Sequence, residues 1–171
     1  MIFYIALDIC TGIREIHNKN LIHRDLKPDN LFISKDYKIK IGDFGISKQL
    51  TNTKKYANTQ NGTLQYMAPE ILNGENYNKK IDIWGLGCIL YELFTLNVCF
   101  DCQFIVGLIN QINSGKHGKI DTNNYNIECQ NLIDLLLKKD YHERPEIDEV
   151  LEMILNIRGN KNKPRKIFFL R

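Results

Sequence analysis

The chain has 171 residues, 43% hydrophobic and 25% charged, an ordinary globular balance with enough apolar material for one buried core. Its net charge of +3 is too small to point to nucleic acid, and no apolar run approaches the roughly 20 residues needed to span a bilayer. Met1 to Leu7 has no basic stretch and soon meets Asp8, a poor leader, and five cysteines without a framework spacing favour reduced thiols in cytoplasm or nucleus.

In chain order, Ile2, Ile5, Ala6, Ile9, Ile13 and Ile16 recur at helical spacing, with Asp8, Arg14 and Glu15 on the other face. They predict an amphipathic helix over 2–18, ended by Asn18-Lys19-Asn20. His23 to Asn30 then packs three cations or potential cations, two acids and an amide between the apolar runs Leu21-Ile22 and Leu31-Phe32-Ile33. Such a cluster is costly to bury without partners, and Pro28 forbids a helix through it. Residues 31–33 and 38–41 predict two short strands around the turn Ser34 to Tyr37. Residues 46–66 are polar and without period, a length of loop that is uncommon inside a domain unless functional. Tyr66 to Leu72 leads into a short helix, and Asn73 to Asn78 is rich in turn formers. Residues 80–95 are apolar nearly all round, which predicts a buried helix whose dipole Asp82 complements. Further helices are predicted over 101–114, 126–138 and 146–157, with a polar connector at 115–124. From Arg158 the chain carries Lys161, Lys163, Arg165, Lys166 and Arg171 and no acid, the composition of a solvated tail. The isolated pair Cys99 and Cys102 reads as small buried hydrophobes rather than a metal or redox site. The class is mainly α with a short β-hairpin.

The chemistry concentrates in His23-Arg24-Asp25-Leu26-Lys27-Pro28-Asp29-Asn30, then Asp43-Phe44-Gly45, then Ala68-Pro69-Glu70. Gly62-Thr63 precedes the last triplet, and Asp82-Ile83-Trp84-Gly85-Leu86-Gly87 follows it. A base, a cation and two metal-ligand types on adjacent loops suit phosphoryl transfer. The ordered set resembles the catalytic core of eukaryotic-type serine/threonine protein kinases, from about Met1 to about Leu155, and Asp43 to Lys48 resembles the NIMA-related group. The resemblance implies a protein-kinase-like C-terminal lobe, with residues 1–157 a partial kinase domain, 158–171 a basic C-terminal tail, and the N-terminal lobe absent. No G-x-G-x-x-G loop and no V-A-I-K-like lysine occur in the 171 residues.

By that resemblance Asp25 is the catalytic base, and Lys27 is a cation for the transferring phosphate that marks Ser/Thr specificity. Asn30 and Asp43 hold Mg²⁺, Phe32 lies beneath the adenine of ATP, and Thr63 hydrogen-bonds to Asp25 and Lys27. His23 and Phe44 stack in an internal hydrophobic column, Asp82 anchors the catalytic loop from beneath, and Arg144 pairs with Glu70. Residues 46–66 become an activation segment with hydroxyls at Thr51, Thr53, Tyr56, Thr59 and Thr63. Thr59, nine residues before Ala68, is the expected phosphorylation switch, with Arg24 and Lys48 as cationic receivers. Departures are Gly85 for the usual Ser or Ala, Tyr141 for a common Pro, and no proline in Asn97 to Phe100. The implied activity is transfer of the ATP γ-phosphate to Ser/Thr hydroxyls of proteins, with ATP and Mg²⁺ as cofactors. The expected partners are a protein substrate and the missing N-lobe segment, with no nucleic acid and no membrane. The chain alone is expected to be weakly active or inactive. The rival reading is a catalytically inactive kinase-derived scaffold.

Overall fold

Helix α3 (Lys80–Thr95) is the post around which the rest is built, in a computed structural model that describes residues 1–43 and 64–159. Phe44, Gly45, Lys48, Thr51, Thr53, Tyr56, Thr59, Thr63 and the tail from 160 lie outside the described residues. Every residue of α3 from Lys80 to Tyr91 is buried, as its lack of a polar face requires.

The first helix, α1 (Ile2–Asn18), lays Phe3, Ala6, Ile9, Cys10, Ile13 and Ile16 into the core on one face. It packs on α3, on the last helix and on the hairpin. The chain then makes a single 3-10 turn at Pro28–Asn30. Pro28 therefore does not exclude helical geometry here. It stands at the first position of the turn, where its missing N–H is no loss and its φ is already suitable.

Strands β1 (Leu31–Ile33) and β2 (Ile39–Ile41) pair antiparallel with Leu31 opposite Ile41. The second strand starts one residue later than its sequence suggests, because the Lys38 carbonyl accepts from the Ser34 N–H and hydroxyl and so belongs to the turn. The hairpin sits directly on α1: a Cβ on Gly12 would come within 2.8 Å of Ile41 Cδ1.

Helix α2 (Pro69–Leu72) leads to α3, which ends where Leu96 turns left-handed at φ 58°. Helix α4 (Ile105–Ser114) begins four residues after the start expected from sequence. Phe100 stacks flat on Trp84 of α3, with ring centroids 5.4 Å apart, and this holds the chain extended before the helix can start. Helix α5 (Ile127–Leu136) is capped by Asn126, whose side chain accepts from the Glu128 N–H. It stops two residues short of the expected 138. The Arg144 side chain takes the Lys138 and Lys139 carbonyls out of any helical ladder. A second 3-10 turn (Tyr141–Glu143) precedes α6 (Ile147–Gly159), which packs against α1 and α5. Among the described residues the fold is mainly helical with one two-stranded sheet, the class read from sequence.

Candidate active site

The loop from His23 to Asn30 lies against the start of α3, and one carboxylate holds it there. Asp82 is 1% exposed. Its Oδ2 accepts from the His23 N–H at 2.9 Å and from His17 Nε2 at 2.9 Å, and its Oδ1 accepts from the Arg24 N–H at 3.0 Å. A buried carboxylate survives only with such partners. Close approach helps: a Cβ on Gly85, one turn along α3, would meet the Leu26 carbonyl at 3.0 Å. Leu26 lies between Asp25 and Lys27, so the glycine lets the loop rest on the helix backbone.

Arg24 pays a backbone cost for this pose, with φ at 72°, and Asp43 sits similarly at 50°. A non-glycine residue held in this region costs on the order of 1–3 kcal/mol and persists only where its surroundings over-determine it. At Arg24 the surroundings are the Asp82 carboxylate and Tyr77, whose ring lies 5.8 Å beneath the guanidinium.

The Asp25 carboxylate is gripped on one oxygen. Asn30 Nδ2 donates to Oδ2 at 3.1 Å, and Lys27 Nζ lies 3.2 Å from the same atom. Asn30 Nδ2 also donates to the Asp25 carbonyl, at 2.6 Å. Among the described residues both side-chain contacts fall on Oδ2, and none falls on Oδ1. Asn30 is buried, and since its nitrogen serves Asp25, its carbonyl oxygen is the end it can offer a cation.

Asp43 is brought to the same place by the hairpin. The Gly42 N–H donates to the Asn30 carbonyl at 2.9 Å, extending the β1–β2 register by one pair. The Gly42 carbonyl in turn faces His23 Nε2 at 2.9 Å. A carbonyl cannot donate, so Nε2 carries the hydrogen, and Nδ1 is then the acceptor facing the Asp25 N–H at 3.4 Å. His23, fully buried, thus ties the backbone of Asp25 to the residue before Asp43. Asn30 and Asp43 supply two oxygen donors on neighbouring loops, one of them a carboxylate. That donor set fits Mg²⁺, which takes few protein oxygens and completes its shell with water and phosphate. Among the described residues no group of three or more His, Cys, Asp or Glu gathers as a metal site.

Phe32, on β1, is 50% exposed, with its ring edge over Gly42. Farther off, Glu70 and Arg144 form a buried bidentate pair. Lys48, Thr59, Thr63 and Phe44 lie outside the described residues.

Two participants escaped the sequence reading. His17 donates to Asp82 from 65 residues away, and its Nδ1 is buried without a hydrogen-bond partner among the described residues. Its signal was a polar residue one turn after Ile13 on the buried face of α1. The Tyr66 hydroxyl donates to Glu92 Oε2 at 2.6 Å. Burial, and then that hydrogen bond, push the Tyr66 phenol far above its usual range.

The profile described as the protein kinase domain matches residues 2–155. The chain is similar to serine/threonine-protein kinase Nek1 of Mus musculus, 37% identical over 146 residues, which is 85% of this chain and 12% of that protein. It is similar to serine/threonine-protein kinase Nek9 of Xenopus laevis, 38% identical over 152 residues, 88% of this chain and 16% of the relative. It is also similar to serine/threonine-protein kinase Nek8 of Danio rerio, 40% identical over 158 residues, 92% of this chain and 22% of the relative. The chain spans less than a quarter of the length of each of these three relatives.

Proposed function

The chain belongs to the protein kinase domain family, and from that premise we propose that it carries the phosphoryl-transfer loop of a NIMA-related serine/threonine protein kinase. The relatives are named as serine/threonine kinases, which supports the hydroxyl specificity. The observation that carries the reading is the one-sided grip on Asp25. Asn30 and Lys27 hold Oδ2, which orients Oδ1 toward a Ser or Thr hydroxyl whose proton it accepts as the oxygen attacks the γ-phosphorus.

Lys27 Nζ, a compact cation beside the base, offsets charge on the transferring phosphoryl group. Asn30 and Asp43 are the residues that would hold Mg²⁺, which neutralises phosphate charge when bound. Phe32 supplies an exposed apolar face for the adenine. Thr63 is assigned to contact Asp25 and Lys27, and His23 and Phe44 to the internal column. Glu70 with Arg144, and Asp82, are assigned structural roles around the loop. Activation is assigned to phosphorylation of Thr59. Its phosphate would draw Arg24 and Lys48, gaining one to three charge-assisted bonds. Arg24, adjacent to Asp25, carries loop order to the base.

The test is Asp25→Asn in a chimera that places the N-terminal lobe of one of the relatives before Met1, assayed for transfer to a generic basic protein. The parent should turn over at ordinary kinase rates of about 1 s⁻¹ or more, and the variant should lose nearly all turnover while keeping its melting temperature. Equal turnover by the variant would remove Asp25 from the base role. A folded but inert parent would favour the scaffold reading.

A further inference from the structure

We propose that Tyr77 is a positioning residue for Asp25: the face of its ring holds the Arg24 guanidinium and so keeps the strained backbone from which the next residue, Asp25, departs. The role of Asp25 as base rests on the proposed function, whereas the hold on Arg24 does not.

Arg24 is fastened at both of its ends by the entrance to α3. Its N–H donates to Asp82 Oδ1 at 3.0 Å, and its guanidinium carbon lies 5.8 Å from the centre of the Tyr77 ring. The backbone between these contacts stands at φ 72°, a conformation that a non-glycine residue keeps only under restraint from its surroundings. The amide bond alone leaves the side chain to swing. Among the described residues the exposed Arg24 side chain has no ion pair and no hydrogen bond, so its charge rests on the Tyr77 ring. A ring face attracts a cation through its quadrupole, and the flat guanidinium stacks on it.

Tyr77 is itself held in register with Asp82. The next residue, Asn78, caps α3: its Oδ1 accepts from the Lys80 N–H at 2.9 Å, and its carbonyl accepts from the Ile81 N–H at 3.2 Å. The ring and the carboxylate that restrain Arg24 therefore belong to one rigid helix start. Release of the side chain frees Arg24 to leave the left-handed region. The chain then enters Asp25 from another direction, and Oδ2 parts from Asn30 Nδ2 and Lys27 Nζ, which hold it at 3.1 and 3.2 Å. The phenol hydroxyl plays no part in this hold. A phenyl ring offers the same face, and an aliphatic side chain does not. Tyr77 is 39% exposed, so a substitution there leaves the core intact.

The test uses the chimera that places a relative's N-terminal lobe before Met1. It reads amide exchange protection at Arg24 and Asp25, which needs no turnover, and kcat on a generic basic protein. Tyr77→Leu should lower both by about two- to fivefold, the fold-change of an exposed cation–π contact, with KM and melting temperature unchanged. Tyr77→Phe should match the parent in both. In an Arg24→Gly background, where the backbone takes a positive φ without a side chain, Tyr77→Leu should add nothing. Unchanged protection in Tyr77→Leu overturns the hold on Arg24. So does a Tyr77→Phe variant as impaired as Tyr77→Leu, which would place the effect in the hydroxyl. Lost protection with unchanged kcat, in a chimera that Asp25→Asn silences, overturns the link to the base. A parent without turnover, or an Asp25→Asn variant as active as its parent, defeats the base reading and with it the positioning role, even where the protection result stands.

Discussion

Arg144 grips Glu70 through two parallel hydrogen bonds, Nη1 to Oε1 at 2.6 Å and Nη2 to Oε2 at 2.8 Å, with neither side chain more than 2% exposed. The remaining donors of the guanidinium reach the carbonyls of Lys80, Lys138 and Lys139, and its plane lies 5.0 Å over the Trp84 ring. All five N–H groups are used, so α2, α3 and the α5–α6 connection meet on one side chain.

Removing Glu70 would strand that cation. Glu70→Ala should lower unfolding free energy by about 3–5 kcal/mol, because a buried charge is left without its partner. Arg144→Lys should cost nearly as much, since an ammonium cannot present a planar fork. Urea unfolding at neutral pH measures both; a loss under about 1 kcal/mol for Glu70→Ala would mean that water reaches the site.

Asp82→Asn tests the anchor of the loop from His23 to Asn30. The amide can accept on one side only, so at least one of the three donors, the His23 and Arg24 N–H groups and His17 Nε2, faces an NH₂. Each hydrogen bond to a charged group is worth about 1.5–3 kcal/mol. The expected result is a destabilisation of that order, with faster amide hydrogen exchange at His23 and Arg24 than at Ile9 in α1. Unchanged exchange at both amides would remove Asp82 from the anchoring role.

Alkaline pH should weaken the fold. Burial pushes the Cys10 thiol up to about 12, while an unfolded thiol titrates near 8.5. The folded chain holds this proton longer than the unfolded chain does. Stability from Cys10 is therefore complete below about pH 8.5 and falls by up to roughly 1.4 kcal/mol per pH unit between there and about 12. Cys88 shifts in the same direction. Urea midpoints from pH 7 to 10.5 should fall above pH 9, and Cys10→Ala should flatten the slope. A flat profile in the unsubstituted chain would contradict the burial of these thiols.

The hairpin should be adhesive. Phe32, Ile33 and Tyr37 are 50%, 73% and 88% exposed on one short element. Large apolar side chains left this exposed together on one short element mark an interaction site or an aggregation liability. The 171-residue chain should bind a hydrophobic dye, and Phe32→Ser with Ile33→Ser should reduce the signal severalfold without lowering the melting temperature. Equal dye binding by the double variant would place the adhesive surface elsewhere.

The local patterns were legible in the sequence itself. The isoleucine spacing of α1 returns every three or four residues, so its boundaries, Ile2–Asn18, follow from the chain's own period. The all-apolar run of α3 announces burial in the same way. The chemical set of Asp25, Lys27 and Asn30 is legible because it lies within a few residues, and the hairpin register that brings Gly42 to Asn30 is set by a short turn.

Helix starts and stops were less legible where another element intervenes. No propensity in residues 101–104 reveals that Phe100 is held on Trp84, and none in 137–138 reveals that Arg144 takes the carbonyls beyond α5. Asp82 reads from its own neighbours as a helix-dipole residue. Only the packed chain brings it His17 from the end of α1 and the amides of His23 and Arg24. Which segments are helical, and that an acid, a cation and an amide stand within six residues at Asp25 to Asn30, could be read from the chain itself, because both are local properties of spacing and side-chain chemistry. Which histidine holds the loop anchor and which carboxylate meets Arg144 came only from the packed chain, because each contact joins surfaces distant in sequence that exclude water together.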